Sequence, residues 1–410
     1  MPVEFLGYAA TNDGSETHLR TGPSFDPDYT IRLARAHEEW GWDRVLFAYG
    51  SGSPDPAAAT AYVAAHTEKL QLLLAHRPNV SYPTYAAKTF STLDGISGGR
   101  LMVHFITGAD DTEQAREGDF LSMAERYART GEYIGIVKKA WTEREPFSHH
   151  GWYFDFDEFV SDVFPAAGHC PLVSVGGCVP EAYAVGAAQA DVYCLWGEPL
   201  ERTYEQIEAI RAASDEAGRE VPPRIQVSFR PIIAPTEEEA WDKAYRIVAA
   251  IKGTSGNRRL AVVPAQSTGS RRLSALAGHS ERFDRALWTP AALATEGADA
   301  SNALVGTPDT VAQALLDYYD LGAEIFSARG YDLLEDAVEF GKYVIPVVRE
   351  EAAKRDAARA AAGGGGGGIA GGGGVGSGAS GTGTAGTTPT PCSPVRRPGG
   401  TGTGERSFAA

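Results

Sequence analysis

Eight short apolar runs in this chain are each followed by residues able to bind or polarise a small molecule. Ala10 and Asn12 follow the first, Tyr49, Ser51 and Ser53 the second, His76 and Arg77 the third, His104 and Thr107 the fourth. Gly176, Gly177 and Cys178 follow the fifth, Trp196 and Glu198 the sixth, Ser228 and Arg230 the seventh, Arg329 and Tyr331 the eighth. The set is aromatic, hydroxylic and cationic, without a cluster of carboxylates. That chemistry suits a flat aromatic cofactor and an anion better than a divalent metal, and it lacks the paired acids of glycoside hydrolysis. Gly176-Gly177 ahead of Pro180 reads as backbone N–H groups at the positive end of a helix, a phosphate cradle, or simply as a tight turn. His104 is either a site residue or a satisfied core histidine. His149 and His150 are adjacent, so they do not share a metal from one helix face, and they read as surface residues.

The elements that must position these residues alternate along the chain. Strand-like runs fall at Val3–Tyr8, Arg44–Ala48, Leu70–Ala75, Leu101–Ile106, Pro171–Val175, Val192–Leu195, Ile225–Ile233 and Glu324–Ser327. Helical stripes separate them, such as Tyr29, Leu33, Ala36 and Trp40, or Tyr127, Ile134, Val137 and Trp141. Thr236 with Glu239 forms a capping box, Thr307-Pro308 opens another helix, and a terminal helix is expected from about Leu333 to Arg355. Eight near-continuously apolar strands interleaved with helices predict a parallel sheet covered on both faces, and eight strands close a (β/α)8 barrel. In that architecture the residues past the strand C-termini build the site. A doubly wound open sheet is the alternative, and it lacks the G-x-G-x-x-G expected after its first strand. Glu145–Ala167 and Thr254–Asn302 break the alternation and read as insertions in the loops above the barrel.

Composition narrows the function. The 410 residues carry a net charge of −16, which argues against nucleic acid or an anionic membrane as partner. No apolar run is long enough to span a bilayer, and the start has no basic segment before a hydrophobic one, so a cytoplasmic protein is expected. Four scattered cysteines give neither a disulfide framework nor a thiolate metal site. Residues 1–362 form the expected barrel domain. Residues 363–410 are Gly, Ser, Thr, Ala and Pro with few apolar anchors, and are expected to be a disordered, dispensable tail.

Several segments carry a family pattern. They are His76-Arg77-Pro78, Thr92-Leu-Asp-Gly-Ile-Ser-Gly-Gly-Arg100, Thr107-Gly108, Glu125-Arg126-Tyr127, Ser174-Val-Gly-Gly177, Leu195-Trp-Gly-Glu-Pro199, Ala303-Leu-Val-Gly306 and Ser327-Ala-Arg-Gly-Tyr331. Over about residues 1 to 350 the chain resembles the bacterial luciferase-like flavin monooxygenases, and most of all the reduced-FMN-dependent alkanesulfonate monooxygenases. The resemblance implies a luciferase-like TIM barrel that receives FMNH2 from a separate NAD(P)H:flavin reductase. It implies a flavin peroxide formed with O2, and a small organosulfur anion as substrate, cleaved to an aldehyde and sulfite. It further implies a homo-oligomer, dimer or tetramer, and no metal. A sulfone, an amine or a secondary metabolite as substrate, or a deazaflavin cofactor, are the alternatives within the same barrel.

By the same resemblance, Thr107, Tyr127, Gly176, Gly177, Cys178 and His104 are expected to bind the flavin. Tyr331, Arg230, Trp196, His76 and Ser53 are expected to act on substrate, with Tyr331 as hydrogen-bond or proton donor. The chain also departs from the pattern. Ser53 stands where a cysteine is usual, and Ser228-Phe229-Arg230 replaces Arg-x-His. Thr295–Asp299 lacks the usual arginine, and Cys178 and Val179 replace serines. Arg230 is expected to point into the pocket toward a substrate anion, the alternative partner being an acid of the protein itself.

Overall fold

The computed structural model describes residues 2–108, 110–254, 268–294 and 302–363. The tail beyond Gly363 and the Thr295–Asp299 loop lie outside the described residues.

Thirteen strands occur among them. In chain order they are β1 (Glu4–Tyr8), β2 (Arg44–Phe47), β3 (Gln71–His76), β4 (Leu101–Phe105), β5 (Phe147–His150), β6 (Asp155–Phe159) and β7 (Leu172–Gly176). There follow β8 (Val192–Trp196), β9 (Arg224–Ile233), β10 (Arg282–Phe283), β11 (Leu287–Trp288), β12 (Ala303–Gly306) and β13 (Ala323–Ala328). Eight of them pair in parallel in the order β1, β2, β3, β4, β7, β8, β9, β13 and back to β1, closing the barrel that the eight apolar runs predict. The open-sheet alternative is thereby excluded.

Period-two alternation divides the strand residues. Leu6, Leu73, Met102, Val192 and Ile325 pack together in the lumen. Phe5, Val227, Phe229 and Phe326 on one side, and Leu74, Val103, Phe105 and Val175 on the other, pack outward under the helices. The insertions contain structure of their own. β5 and β6 form an antiparallel hairpin, while β10, β11 and β12 extend a small sheet from the upper half of β9.

The longest family motif builds this frame rather than the site. Helix Pro83–Ser97 ends at Gly98, φ 67°, and Gly99 follows at φ 86°. The Asp94 carboxylate then accepts the Ala166 N–H at 2.7 Å, and Arg100 donates to the carbonyls of Ala64, Thr67 and Leu70. The expected terminal helix is two helices, Leu333–Tyr343 and Ile345–Gly363. Pro346 has no N–H to continue the first and clashes with helical backbone before it.

Candidate functional site

A cavity of about 610 Å³ opens at the C-terminal ends of the barrel strands. Seven of the eleven residues expected to bind flavin or act on substrate line it together: His104, Thr107, Tyr127, Gly176, Gly177, Cys178 and Trp196. Leu46, Leu73 and Ala75 supply apolar wall, and Cys194, Gln226, Ser228 and Ser327 a polar floor.

At one end β7 runs out into the Gly176-Gly177-Cys178 turn. Gly177 has φ 148°, open to glycine alone, and a Cβ there would collide with the Tyr127 hydroxyl and the Ala182 side chain. Tyr127 donates to the Gly176 carbonyl at 3.3 Å and Tyr193 to the Gly177 carbonyl at 3.1 Å, which fixes the turn from behind. Helix Pro180–Gln189 starts directly after it, with Pro at its first position and no side chain capping it. The turn therefore offers backbone at a helix N-terminus, lining the cavity, packed too closely on Tyr127 and Ala182 for any side chain at Gly177. An FMN phosphate fits such a cradle.

His104 lies on the lumen face of β4. Its Nδ1 pairs with Ser174 Oγ at 2.9 Å, and burial holds its pKa down at about 4, so the ring is neutral. Cys194 Sγ approaches the same nitrogen at 3.9 Å, and burial raises this thiol to about 12. Trp196 stands against the backbone of Gly269, where a Cβ would strike its ring. Helix Thr268–Ala277, which carries Gly269, is tied down by Arg272, whose guanidinium binds the buried Glu198 through two bonds of 2.9 and 2.6 Å.

Opposite, Arg77 is buried between Glu117 at 2.7 Å and Glu113 at 3.2 Å, with its guanidinium 4.7 Å from the Tyr49 ring centre. Tyr49 donates to Glu117, and Ser51 to Glu113 through both its N–H and its hydroxyl at 2.7 Å. These bonds clasp the segment after β4 to the ends of β2 and β3.

Four expected site residues lie elsewhere. Arg230 follows Ser228 on the same face of β9 but turns above the cavity, away from it. It binds Glu16 at 3.0 Å and the carbonyls of Arg329 and Gly330 at 2.7 and 2.8 Å, and Arg329 binds the same Glu16 at 2.9 Å. The acid of the protein, and not an open pocket, receives this guanidinium. Burial pushes the Glu16 carboxyl up, and the charges of Arg230 and Arg329 overcome this and hold it well below the usual range. Tyr331 is 3% exposed beneath Arg230, 4.1 Å from guanidinium carbon to ring centre, and burial raises its hydroxyl to about 12. A ring so covered is no proton donor to the cavity as the structure stands. His76 ends β3 on its outward face, packs on Phe90 and pairs with the Tyr133 hydroxyl at 2.8 Å, and burial keeps it neutral with a pKa of about 3. Ser53 closes its own turn, donating to the Gly50 carbonyl at 2.8 Å.

Glu16, Arg272 and Gln226 escape the sequence reading. Glu16 comes from the loop after β1 and Arg272 from an insertion, where no period marks them. Gln226 was legible: it precedes Ser228 by two and must share its face. Among the described residues no three His, Cys, Asp or Glu side chains converge as a metal would require, and no helix is long and apolar enough to cross a membrane.

The comparisons with known proteins agree with the barrel. EDTA monooxygenase (EmoA) from Chelativorans sp. BNC1 superposes with a TM-score of 0.69 at 18% identity, covering 86% of this chain and 94% of that one. A riboflavin lyase (RcaE), solved with modified FMN and riboflavin, gives 0.69 at 20% identity, covering 86% and 92%. An F420-dependent secondary alcohol dehydrogenase gives 0.63 at 16% identity, covering 85% and 99%. These likenesses establish the shared fold. The sequence itself matches the description of the luciferase-like monooxygenases over residues 4–324, and the chain belongs to that family.

Proposed function

We propose that the protein is the oxygenase of a two-component system, taking FMNH2 from a separate NAD(P)H:flavin reductase and using O2 to oxygenate a small organic substrate. The carrying observation is the Gly177 turn, which only glycine can adopt, set at a helix start below the Tyr127 hydroxyl. In this reading Gly176, Gly177 and Cys178 hold the phosphate through backbone, while Thr107, Tyr127 and His104 flank the flavin. When bound, the flavin supplies the oxidising chemistry, and the protein supplies orientation and a dry wall. Trp196 and helix Thr268–Ala277 exclude water from the mouth. His104, neutral, offers a hydrogen bond without placing charge beside the ring. Cytoplasmic location and a homo-oligomeric state belong to the same reading, on the strength of the family resemblance.

Alkanesulfonate desulfonation is the finer form of this reading, supported by Leu195–Pro199 and Ser327–Tyr331 as sequence motifs. The position of Arg230 and Tyr331 outside the cavity does not favour it. Anaerobic titration of the purified protein with FMNH2, FMN and reduced F420 tests the proposal. FMNH2 is expected to bind tightest. Preferential binding of F420 would convert the reading to a deazaflavin oxidoreductase.

A further inference from the structure

We infer that Arg272, carried over the barrel mouth by helix Thr268–Ala277, is the cation that receives the phosphate of the flavin, and that Glu198 is the residue that positions it. The inference rests on the proposed binding of FMN and names the side chain that recognises its phosphomonoester.

Charge sets the need. A phosphomonoester carries about −1.5 to −2 near pH 7, whereas a helix N-terminus supplies about half a positive charge. The Gly176–Cys178 turn thus meets the phosphate with donors and leaves most of its charge unbalanced. Among the described residues lining the cavity, Arg77 is the one cation, and it stands at the end of β3 between Glu113 and Glu117. Arg126, next to Tyr127, is wholly buried and bound to the carbonyls of Leu121 and Gly108 and to Asp111. Arg230 and Arg329 are closed upon Glu16.

Arg272 differs in place and in partners. Strands β7 and β8 are neighbours, with Gly176 opposite Cys194, so the turn after β7 and the Trp196–Glu198 segment leave the barrel side by side. Cys178 and Glu198 line one cavity with Thr268 and Gly269, the first residues of the helix that carries Arg272. The guanidinium charge is felt at the turn itself: burial raises the Cys178 thiol, and Arg272 draws it part of the way back. Glu198 is 3% exposed, and its carbonyl accepts from the Tyr318 and Thr203 hydroxyls at 2.7 and 3.0 Å, which fixes this segment. Its carboxylate takes Nε and Nη2 of Arg272. Nη1 makes no hydrogen bond among the described residues, and the side chain is one-third exposed. A guanidinium gripped along one edge is rigid and keeps the two N–H donors of Nη1 for an anion, a form well suited to phosphate. An ion pair is a poor anchor for stability alone, since apolar side chains hold a helix as well. A donor held ready for a third, anionic group gives the pair a use.

The test compares FMN with riboflavin, which has the same ring and no phosphate, by fluorescence titration of the full chain. The wild type is expected to prefer FMN. Arg272→Gln is expected to weaken FMN about tenfold or more, the share of one charge-assisted hydrogen bond, and to leave riboflavin within about twofold. Arg272→Gln combined with Glu198→Gln keeps a hydrogen-bonding pair without charge, and is expected to stay as weak for FMN as the single variant. Recovery of FMN affinity in the double variant overturns the inference, because Arg272 would then only neutralise Glu198. An equal loss for FMN and riboflavin also overturns it, because Arg272 would then act by holding the helix. A wild-type preference for FMN retained in Arg272→Gln leaves the glycine cradle standing and removes Arg272 from it. If the wild type binds neither flavin, the proposed function falls, and inorganic phosphate decides the role of Arg272. Against chloride at equal ionic strength, phosphate is expected to raise the melting temperature of the wild type and not of the double variant; an equal rise, or none, overturns the inference.

Discussion

Two sides of the barrel mouth are built on opposite plans. At β7 the Gly176–Cys178 turn presents main chain to the cavity, and the side chains around it, Tyr127 and Tyr193, only brace it from behind. Where β9 and β13 reach the mouth they present the guanidiniums of Arg230 and Arg329, and these are closed upon Glu16, upon carbonyls and upon the rings of Tyr331 and Tyr8. The first side keeps its hydrogen-bonding capacity for a ligand; the second consumes it in holding the loop after β1. Residue type alone would assign binding to the arginines. Accounting for partners assigns it to the glycines.

The contrast can be broken most severely at the closed side. Arg230→Met leaves Glu16 buried with half its counter-charge, and should lower unfolding stability by about 3–5 kcal/mol, read from the urea midpoint. A loss below 1 kcal/mol would mean that Glu16 escapes to solvent and that this side is open after all.

Acid should act on the frame that carries both sides. Burial keeps His37, His76 and His104 neutral, with pKa values of about 4, 3 and 4 against an ordinary 6.5. The unfolded chain takes up these protons first, so stability is full above pH 6.5 and is lost as pH falls toward 4, by up to about 3 kcal/mol for each ring. His76→Phe should flatten that slope by about one ring's share in melting curves recorded between pH 7 and 4.5. An unchanged slope would show that His76 is solvated.

On the open side the effects are smaller in stability and larger in binding. Gly177→Ala forces a side chain into φ 148° and against Tyr127, a cost of about 1–3 kcal/mol that should appear as weakened FMN affinity in fluorescence titration. Tyr127→Phe removes one hydrogen bond, worth about 1 kcal/mol. If both variants bind FMN like wild type, the cradle lies elsewhere. Arg272→Ala is also expected to act through the other partner, because Glu198 is buried and loses the cation that binds both its oxygens. About 1–3 kcal/mol of stability should be lost in urea unfolding, with little change in 1 M salt.

The barrel was legible because each strand is apolar on both faces and each helix carries its stripe, so period and number agreed without any partner being known. Strand-end positions were legible for the same reason, and ten of those residues share one cavity. What the alternation did not settle was the far end of a side chain. His76 and His104 each lie near a strand end, yet one faces Phe90 under the helices and the other faces the lumen. Reading β3 by twos from Leu73 and Ala75 would have turned His76 outward. Glu16 and Arg272 were invisible for a different cause: both reach the mouth from irregular segments, and loops carry no period.

The ten-residue strand β9 has a mechanical consequence. Its first six residues, Arg224–Phe229, belong to the barrel ladder, and its last four, Arg230–Ile233, pair with β12. One continuous, buried strand therefore carries the small upper sheet as a beam carries an overhang. That sheet cannot hinge away from the barrel without tearing four parallel ladder positions. Helix Thr268–Ala277 has no such ladder; it rests on Trp196 through Gly269, on the Glu198 fork and on Ala292 through the buried Leu273. Passage of molecules into the cavity is thus expected at this helix, with Trp196 as its sill, while the β9 overhang stays fixed.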